Sequence, residues 1–369
     1  MRRPLVIIAS PSLAVRDYHG GCAYSAAILE ELARSGCEVL QVWLADLRGR
    51  RPFRLPTTSV GGTVCVSGAL RLGRLVIPLP RLGLDQAKFL RRAVQKYQPD
   101  LVILDRAPTA GIWERNPQCK GWVLTIDSLH RRAAMYESHG YEKDFEVAAE
   151  VAEKELLARG DGIIAIQEDE AQLFRHMLPD SPVITVPHPV RAEPLPSGKS
   201  VPGTLLFLGG TAAHNVDGIQ WFVREVLPLV LAAHPSARLE VAGAVTEAVP
   251  DHPAIRKCGH VADLRELYSR AQVCLAPLRF GTGLKIKVVE AMGYGRPVAG
   301  TPVAAEGFGD LGAALGCVAE SPAEFAAGVT RLLTDPQAHR RAVERQLEWV
   351  AQRVSPSIAL QPLLAQIGL

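Results

Sequence analysis

Short runs of β-branched and aliphatic residues alternate along the chain with longer stretches of helical periodicity. That alternation is the pattern of parallel sheets built from βαβ units. In the first half it predicts strands at Leu5–Ala9, Glu38–Leu44, Leu101–Asp105, Trp122–Ile126, Gly162–Ile166 and Val183–Val186. It predicts helices over Cys22–Arg34, ended by Gly36, and over Glu142–Ala158. His188-Pro189-Val190 then leads into Ala192–Gly203, a stretch rich in Pro, Ser and Gly that reads as a linker. After it the alternation resumes. Strands are predicted at Thr204–Leu208, Arg238–Ala242, Val273–Pro277, Pro297–Gly300 and Gly316–Ala319, with helices at Val216–Ala233, Ala262–Arg270 and Ile286–Gly293. From Pro322 onward the pattern is helical, broken near Asp335-Pro336 and Ser355-Pro356. An α/β protein with two nucleotide-binding-type sheets in tandem is the expected architecture, and no repeat of solenoid period competes with it.

Length supports this, since 369 residues exceed what one hydrophobic core usually serves. Hydrophobic residues at 48% and charged residues at 21% describe an ordinary globular chain, and a net charge of +3 is too small to argue for nucleic acid. Its distribution is uneven. Between Leu47 and Leu84 stand Arg48, Arg50, Arg51, Arg54, Arg71, Arg74 and Arg81, with no acidic residue among them. This stretch is either a solvated face or a surface for anionic lipid or a phosphorylated acceptor. The seven cysteines lack CxxC or metal-ligand spacing, which fits reduced thiols in the cytosol. Met1-Arg2-Arg3-Pro4 mimics the edge of a signal peptide, but the apolar run after it is too short for one. No stretch approaches the length of a transmembrane helix. The expectation is a cytoplasmic protein, with contact at the inner membrane face through residues 48–81 as the sharper reading of the arginines.

The segment richest in chemistry is Val273–Gly307. A buried strand ends at Pro277, a loop with Gly281, Thr282, Gly283 and Leu284 follows, and a helix opens at about Lys285, carrying Lys287 and Glu290. Glycines let backbone approach a ligand closely, and a helix start presents free N–H groups. Lysines in a first turn oppose the helix dipole, so their presence calls for a reason. Together these features make an anion site suited to a diphosphate. Glu290, about a turn further in, is placed to accept hydrogen bonds from vicinal ribose hydroxyls.

These residues resemble the donor-binding domain of the GT-B glycosyltransferases, specifically the retaining family four, or group 1. Pro277–Val298 follows the block P-x-x-x-G-x-G-x-x-x-K-x-x-E-A-M-x-x-G-x-P-V. Phe207-Leu208-Gly209-Gly210 with His214-Asn215-Val216-Asp217-Gly218 and Trp221-Phe222 resembles the family's first glycine loop and helix. Cys258-Gly259-His260-Val261-Ala262-Asp263-Leu264 resembles its segment that contacts the nucleotide base. The likeness is strong over about Val183–Thr330 and looser before it. One departure is Thr282, which occupies the position of the first of two family glutamates. That carboxylate is credited with contacts to the transferred sugar, so donor identity is harder to infer. The Asn215 region also lacks basic residues common in the family, which leaves Lys285 and Lys287 to supply the charge.

The resemblance implies two Rossmann-like domains facing across a cleft: residues 1–190 on the acceptor side, 204–345 for the donor, and final helices over 346–369 packing back on the first. His19-Gly20-Gly21 fits the cleft's glycine loop, or else makes only a strand-to-helix turn. His130, in Asp127-Ser128-Leu129-His130, resembles the cleft histidine near the donor sugar, with Asp127 orienting it or capping the next helix. Glu306 matches a stretch that lines the donor pocket in relatives, though a surface turn would look the same. The implied reaction moves a sugar from a nucleoside diphosphate sugar, UDP or GDP, to an acceptor hydroxyl with retention of configuration. It uses no cofactor and, in the absence of a DxD pair at a strand end, no metal. The rival readings are a sugar-nucleotide epimerase, which would need further carboxylates, and a partner subunit with a degenerate donor site, to which Thr282 gives weight. The arginine stretch alone would suggest nucleic acid, but no recognition motif or aromatic platform accompanies it.

Overall fold

The computed structural model describes residues 2–11, 20–44, 53–54, 63–66, 69–72, 75–78, 86–141, 149–196, 198, 200–261, 263–307 and 309–369. The chain divides into two compact units. One comprises Met1–His130, Glu146–Pro189 and Ala359–Leu369, and the other Arg131–Phe145 and Val190–Ile358.

The strands of the first unit are β1 (Leu5–Ser10), β2 (Glu38–Trp43), β3 (Phe53–Arg54), β4 (Thr63–Val66), β5 (Ala69–Leu72), β6 (Leu75–Pro78), β7 (Leu101–Asp105), β8 (Lys120–Leu124), β9 (Gly162–Ala165) and β10 (Val183–Thr185). Among the described residues they make a seven-stranded sheet in the order β10-β9-β8-β7-β1-β2-β4 and a separate sheet in the order β3-β6-β5. The large sheet is parallel throughout and the small one antiparallel. Burial on both faces explains the unbroken apolar runs of β1 and β7, since a parallel sheet is covered by helices on either side. The helices are α1 (Gly20–Arg34), α2 (Gln86–Tyr97), α3 (Ala107–Ala110), α4 (Leu129–Ser138), α5 (Glu150–Leu157) and α6 (Glu168–Met177). The division between units falls inside α4, between His130 and Arg131.

The second unit holds β11 (Thr204–Leu208), α7 (Ala213–Trp221), α8 (Leu227–Ala233), β12 (Arg238–Ala242), β13 (Ile255–Gly259), α9 (Leu264–Arg270), β14 (Val273–Ala276), α10 (Ile286–Gly293), β15 (Val298–Gly300), α11 (Leu311–Ala314), β16 (Cys317–Val318), α12 (Pro322–Thr334), α13 (Pro336–Arg353) and α14 (Pro356–Ala359), whose last residue is counted with the first unit. The short α15 (Gln361–Leu364) also belongs to the first unit. The sheet is parallel, in the order β13-β12-β11-β14-β15-β16. Its core packs Phe207, Val241, Val273 and Leu275 of the strands against Phe222, Phe325 and Val329.

Several elements differ from the sequence reading for identifiable reasons. The predicted helix Val216–Ala233 starts three residues earlier and passes through a π-helical turn, Phe222–Val226. The turn lies just ahead of Pro228, which cannot donate to the preceding turn. Strand β13 went unpredicted because Arg256 and Lys257 at its centre are exposed on the edge of the sheet. The helix predicted over Glu142–Ala158 is described only as Glu150–Leu157, and residues 142–148 lie outside the described residues. The break predicted at Asp335-Pro336 is a helix cap, and the start of α12 is capped as well. Ser321 accepts from the Glu324 N–H at the start of α12, and Asp335 accepts from the Gln337 and Ala338 N–H groups at the start of α13.

Two glycines make the strand ends of the second sheet possible. Gly243 after β12 has φ +91°, and a Cβ there would lie 2.3 Å from the Gly209 carbonyl oxygen. Gly218 lets α7 approach the end of β14 so closely that a Cβ would be 2.5 Å from the Pro277 oxygen. Arg54 and Arg71 of the arginine-rich stretch stand on β3 and β5, while Arg48, Arg50, Arg51, Arg74 and Arg81 lie outside the described residues. No described helix is long and apolar enough to cross a membrane.

Candidate functional site

At the carboxyl edge of the second sheet, successive strand ends are tied by backbone hydrogen bonds. The Gly243 N–H donates to Gly259 O (2.7 Å) and the Val245 N–H donates to Gly209 O (3.2 Å). This fixes Gly209 and Gly210 after β11 beside the turn after β13, where His260 is exposed and Val261 half-buried. Asn215, in the first turn of α7, is buried and accepts a hydrogen bond from Lys287 Nζ at 2.6 Å. The same ammonium lies 4.5 Å from the centroid of the Phe207 ring. Burial, and after it the charge of Lys285, brings Lys287 down to about 7.

The loop between β14 and α10 supplies the rest. Gly281 (φ +147°) and Gly283 (φ +68°) hold conformations that side-chain-bearing residues rarely adopt. Thr282, between them, is half-buried and Leu284 buried. Helix α10 opens next to Lys285, as its sequence position suggested. Lys285 is the N-cap of α10, and its Nζ turns back to donate to Gly283 O at 2.9 Å. Its dipole penalty is thereby reduced, because the charge sits over the glycine loop rather than along the first turn. Glu306, half-exposed, brings a carboxylate oxygen 3.7 Å from that ammonium. Glu290 lies five residues into α10. Burial, with the charge of Glu290 after it, pushes the Tyr268 phenol well above its ordinary range. The site residues predicted from the second half, Gly209, Gly210, Asn215, Gly281, Thr282, Gly283, Leu284, Lys285, Lys287, Glu290 and Glu306, therefore lie on the loop after β11, α7, the β14–α10 loop, α10 and the turn after β15. His260 and Val261 stand on the neighbouring strand end.

Sequence reasoning passed over what covers this loop. Residues 131–141, counted with the second unit, place Tyr136, His139 and Tyr141 around the buried Phe280, with ring centroids 5.9, 4.5 and 5.2 Å away. Tyr141 donates to Asp217 at 2.8 Å, and Arg279 engages both oxygens of the same carboxylate. Burial alone would raise Asp217, but the hydrogen bonds from Arg279 and Tyr141 hold it below the usual carboxylate range. An exposed-looking Arg-Phe pair in a glycine loop gives no sign in sequence of such partners.

In the first unit, Gly20 and Gly21 form the opening turn of α1, and His19 lies outside the described residues. His130 stands in the first turn of α4, with Nδ1 2.6 Å from Glu153 Oε2. The sequence reading gave Asp127 the tasks of orienting this histidine or capping the helix. Glu153 and Glu170, from later helices, supply carboxylates at both places. Glu153 accepts from the Leu129 N–H (2.8 Å) and the His130 N–H (2.9 Å), and Glu170 accepts from the Ser128 N–H (3.1 Å). Buried carboxylates take this place because the opening N–H groups of a helix have no partner within it. Glu153 and Glu170 are almost wholly buried. A buried carboxylate in a predicted helix was the available signal, masked by the charged residues around it.

The fold is shared with solved structures. It matches sucrose-phosphate synthase from Thermosynechococcus elongatus at TM-score 0.73 and 18% identity, covering 99% of both chains. It matches TarM at 0.72 and 9%, covering 100% of this chain and 99% of that one. HepE of Anabaena, solved in complex with UDP and glucose, matches at 0.67 and 11% over 99% of both chains. No curated protein sequence matches. Residues 202–335 match the family model of the glycosyl transferases group 1. The chain has the GT-B fold, and within its second unit residues 202–335 are similar to the glycosyl transferases group 1.

Proposed function

We propose that the chain transfers a sugar from a nucleoside diphosphate sugar to an acceptor hydroxyl, with retention of configuration at the transferred carbon. The observation that carries this reading is the pair of lysines at the Gly281–Gly283 loop: Lys285 folded over the loop and Lys287 held by Asn215. As the sugar–phosphate bond breaks, the sugar acquires oxocarbenium character and the leaving diphosphate gains negative charge. Fixed positive charge at the loop then stabilises the transition state more than the ground state. Lys285 and Lys287 supply charge that a divalent cation would otherwise bring, so the reaction is proposed to run without metal. Glu290 receives the ribose hydroxyls, Gly209 and Gly210 admit the donor's backbone-side approach, and His260 and Val261 border the base. Gly20, Gly21 and His130 are assigned to the sugar and acceptor side. HepE, with UDP in its solved complex, makes UDP the first donor nucleotide to test.

The test is thermal stabilisation of the pure chain by UDP, GDP and their sugars, with and without chelator. The expected result is a shift with one nucleotide, insensitive to chelator and lost in Glu290→Ala. No shift with any of them favours a partner subunit with a degenerate donor site, the reading to which Thr282 points.

A further inference from the structure

His214 is the second residue of α7 and faces the glycine loop of the site just described. A Cβ at Gly281 would meet two side chains, Lys285 (Cε, 3.7 Å) and His214 (Cγ, 3.8 Å; Cβ, 3.9 Å), so ring and lysine flank the same glycine. Its ring packs edge-on near Phe280 at 6.4 Å between centroids, and Tyr136 Oη lies 3.5 Å from Nδ1. Among the described residues, the charges that act on the imidazole come from Lys287 of α10, Lys285 at its cap and Arg132 of α4, all positive. Burial first, and then these three charges, lowers His214 to about 3. The ring is therefore neutral near pH 7.

A neutral imidazole has one N–H and one bare nitrogen, and its neighbours choose between them. A bare Nδ1 is a better acceptor than a phenol oxygen, so with the Tyr136 hydroxyl 3.5 Å away the arrangement favours donation to Nδ1, which leaves the proton on Nε2. Lys287 is already lowered by burial and then by the charge of Lys285, so a further cation in this place would add to the repulsion. An uncharged N–H adds a hydrogen bond to an anion without adding charge.

We propose that His214 is a donor-binding residue, held by Tyr136 as its Nε2–H tautomer and hydrogen-bonding a diphosphate oxygen beside Lys285 and Lys287. The inference rests on the diphosphate reading above and adds the residue, its tautomer and the group that sets it.

Calorimetric titration of the full chain with UDP and with GDP, each alone, tests it. His214→Ala weakens whichever nucleotide binds by about tenfold, the scale of a lost hydrogen bond to a charged group. Tyr136→Phe weakens it by about threefold. In ¹⁵N-histidine spectra of the ligand-free chain, His214 is assigned by its loss in His214→Gln. It shows a single neutral Nε2–H form from pH 5 to 8, and Tyr136→Phe gives a mixture of tautomers. Wild-type affinity in His214→Ala, beside loss of binding in Lys285→Ala, overturns the inference and leaves the diphosphate reading standing. Failure of both nucleotides to bind the unaltered chain removes both. Should His214→Ala not fold, an Nδ1–H ring or an ordinary histidine titration in the unaltered chain overturns the inference on its own.

Discussion

The two units share a parallel-sheet plan yet treat charge at their functional ends in opposite ways. The first buries carboxylates: Asp105 at the end of β7, Asp127 after β8, and Glu153 and Glu170 behind α4. Burial and the charges of Asp105 and Glu170 push the enclosed Tyr24 phenol well above its usual range. The second gathers cations at its glycine loop, where burial and then the charge of Lys285 lower Lys287, and burial and then the charges of both lysines lower His214. The same strand ends can thus present either sign, depending on what the following loop and helix carry. An acidic interior anchors backbone and histidine, whereas a cationic one waits for an anion. The fold class alone assigns neither role.

The largest effect expected from breaking this contrast is on the cationic side. Lys285→Ala should lower turnover about a thousandfold, equivalent to ~4 kcal/mol of transition-state stabilisation, with the melting temperature nearly unchanged. Steady-state transfer from the donor identified by thermal shift measures it, and rates near those of the unaltered chain would remove the lysine from the chemistry. On the acidic side the expected loss is in folding. Glu153→Ala strands the Leu129 and His130 donors and should cost about 3–5 kcal/mol, read as a lower urea midpoint. An unchanged midpoint would mean that water replaces the carboxylate.

The smallest effect is a proton. Lys287 is lowered to about 7 in the ligand-free chain, and an adjacent diphosphate raises it again. Below pH 6 the ammonium is already protonated and binding takes up nothing. At pH 8 it is mostly neutral, so binding draws close to one proton from the buffer. With a nucleoside diphosphate sugar, whose phosphates do not titrate in this range, the calorimetric enthalpy at pH 8 should then vary with the buffer's ionisation enthalpy, and this dependence should fade at pH 6. A flat response at both values would show Lys287 charged throughout.

The second unit was more legible in sequence than the first because its elements follow local rules. Thr204–Leu208, Arg238–Ala242 and Ile286–Gly293 appear where their apolar runs and breakers put them. The loop glycines declare themselves because no other residue suits their φ angles. What escaped the sequence were pairings between distant segments. Glu153 reaches His130 across 23 positions and Tyr141 reaches Asp217 across 76, and neither partner carries any mark of the other. His214 stood inside a quoted motif, but its tautomer depends on Tyr136, which only folding supplies.

The division of the chain bears on how it is made. Residues 131–145 leave the ribosome before the unit they complete, and residues 359–369 leave after everything else in theirs. During synthesis Tyr136 and Tyr141 must wait for Phe280 and Asp217 to appear, and the first unit stays unfinished until residues 359–369 are added. A fragment cut at Val190 would therefore lack the rings around Phe280. Nascent chains stalled before residue 280 should show this as aromatic surface still open to protease or dye.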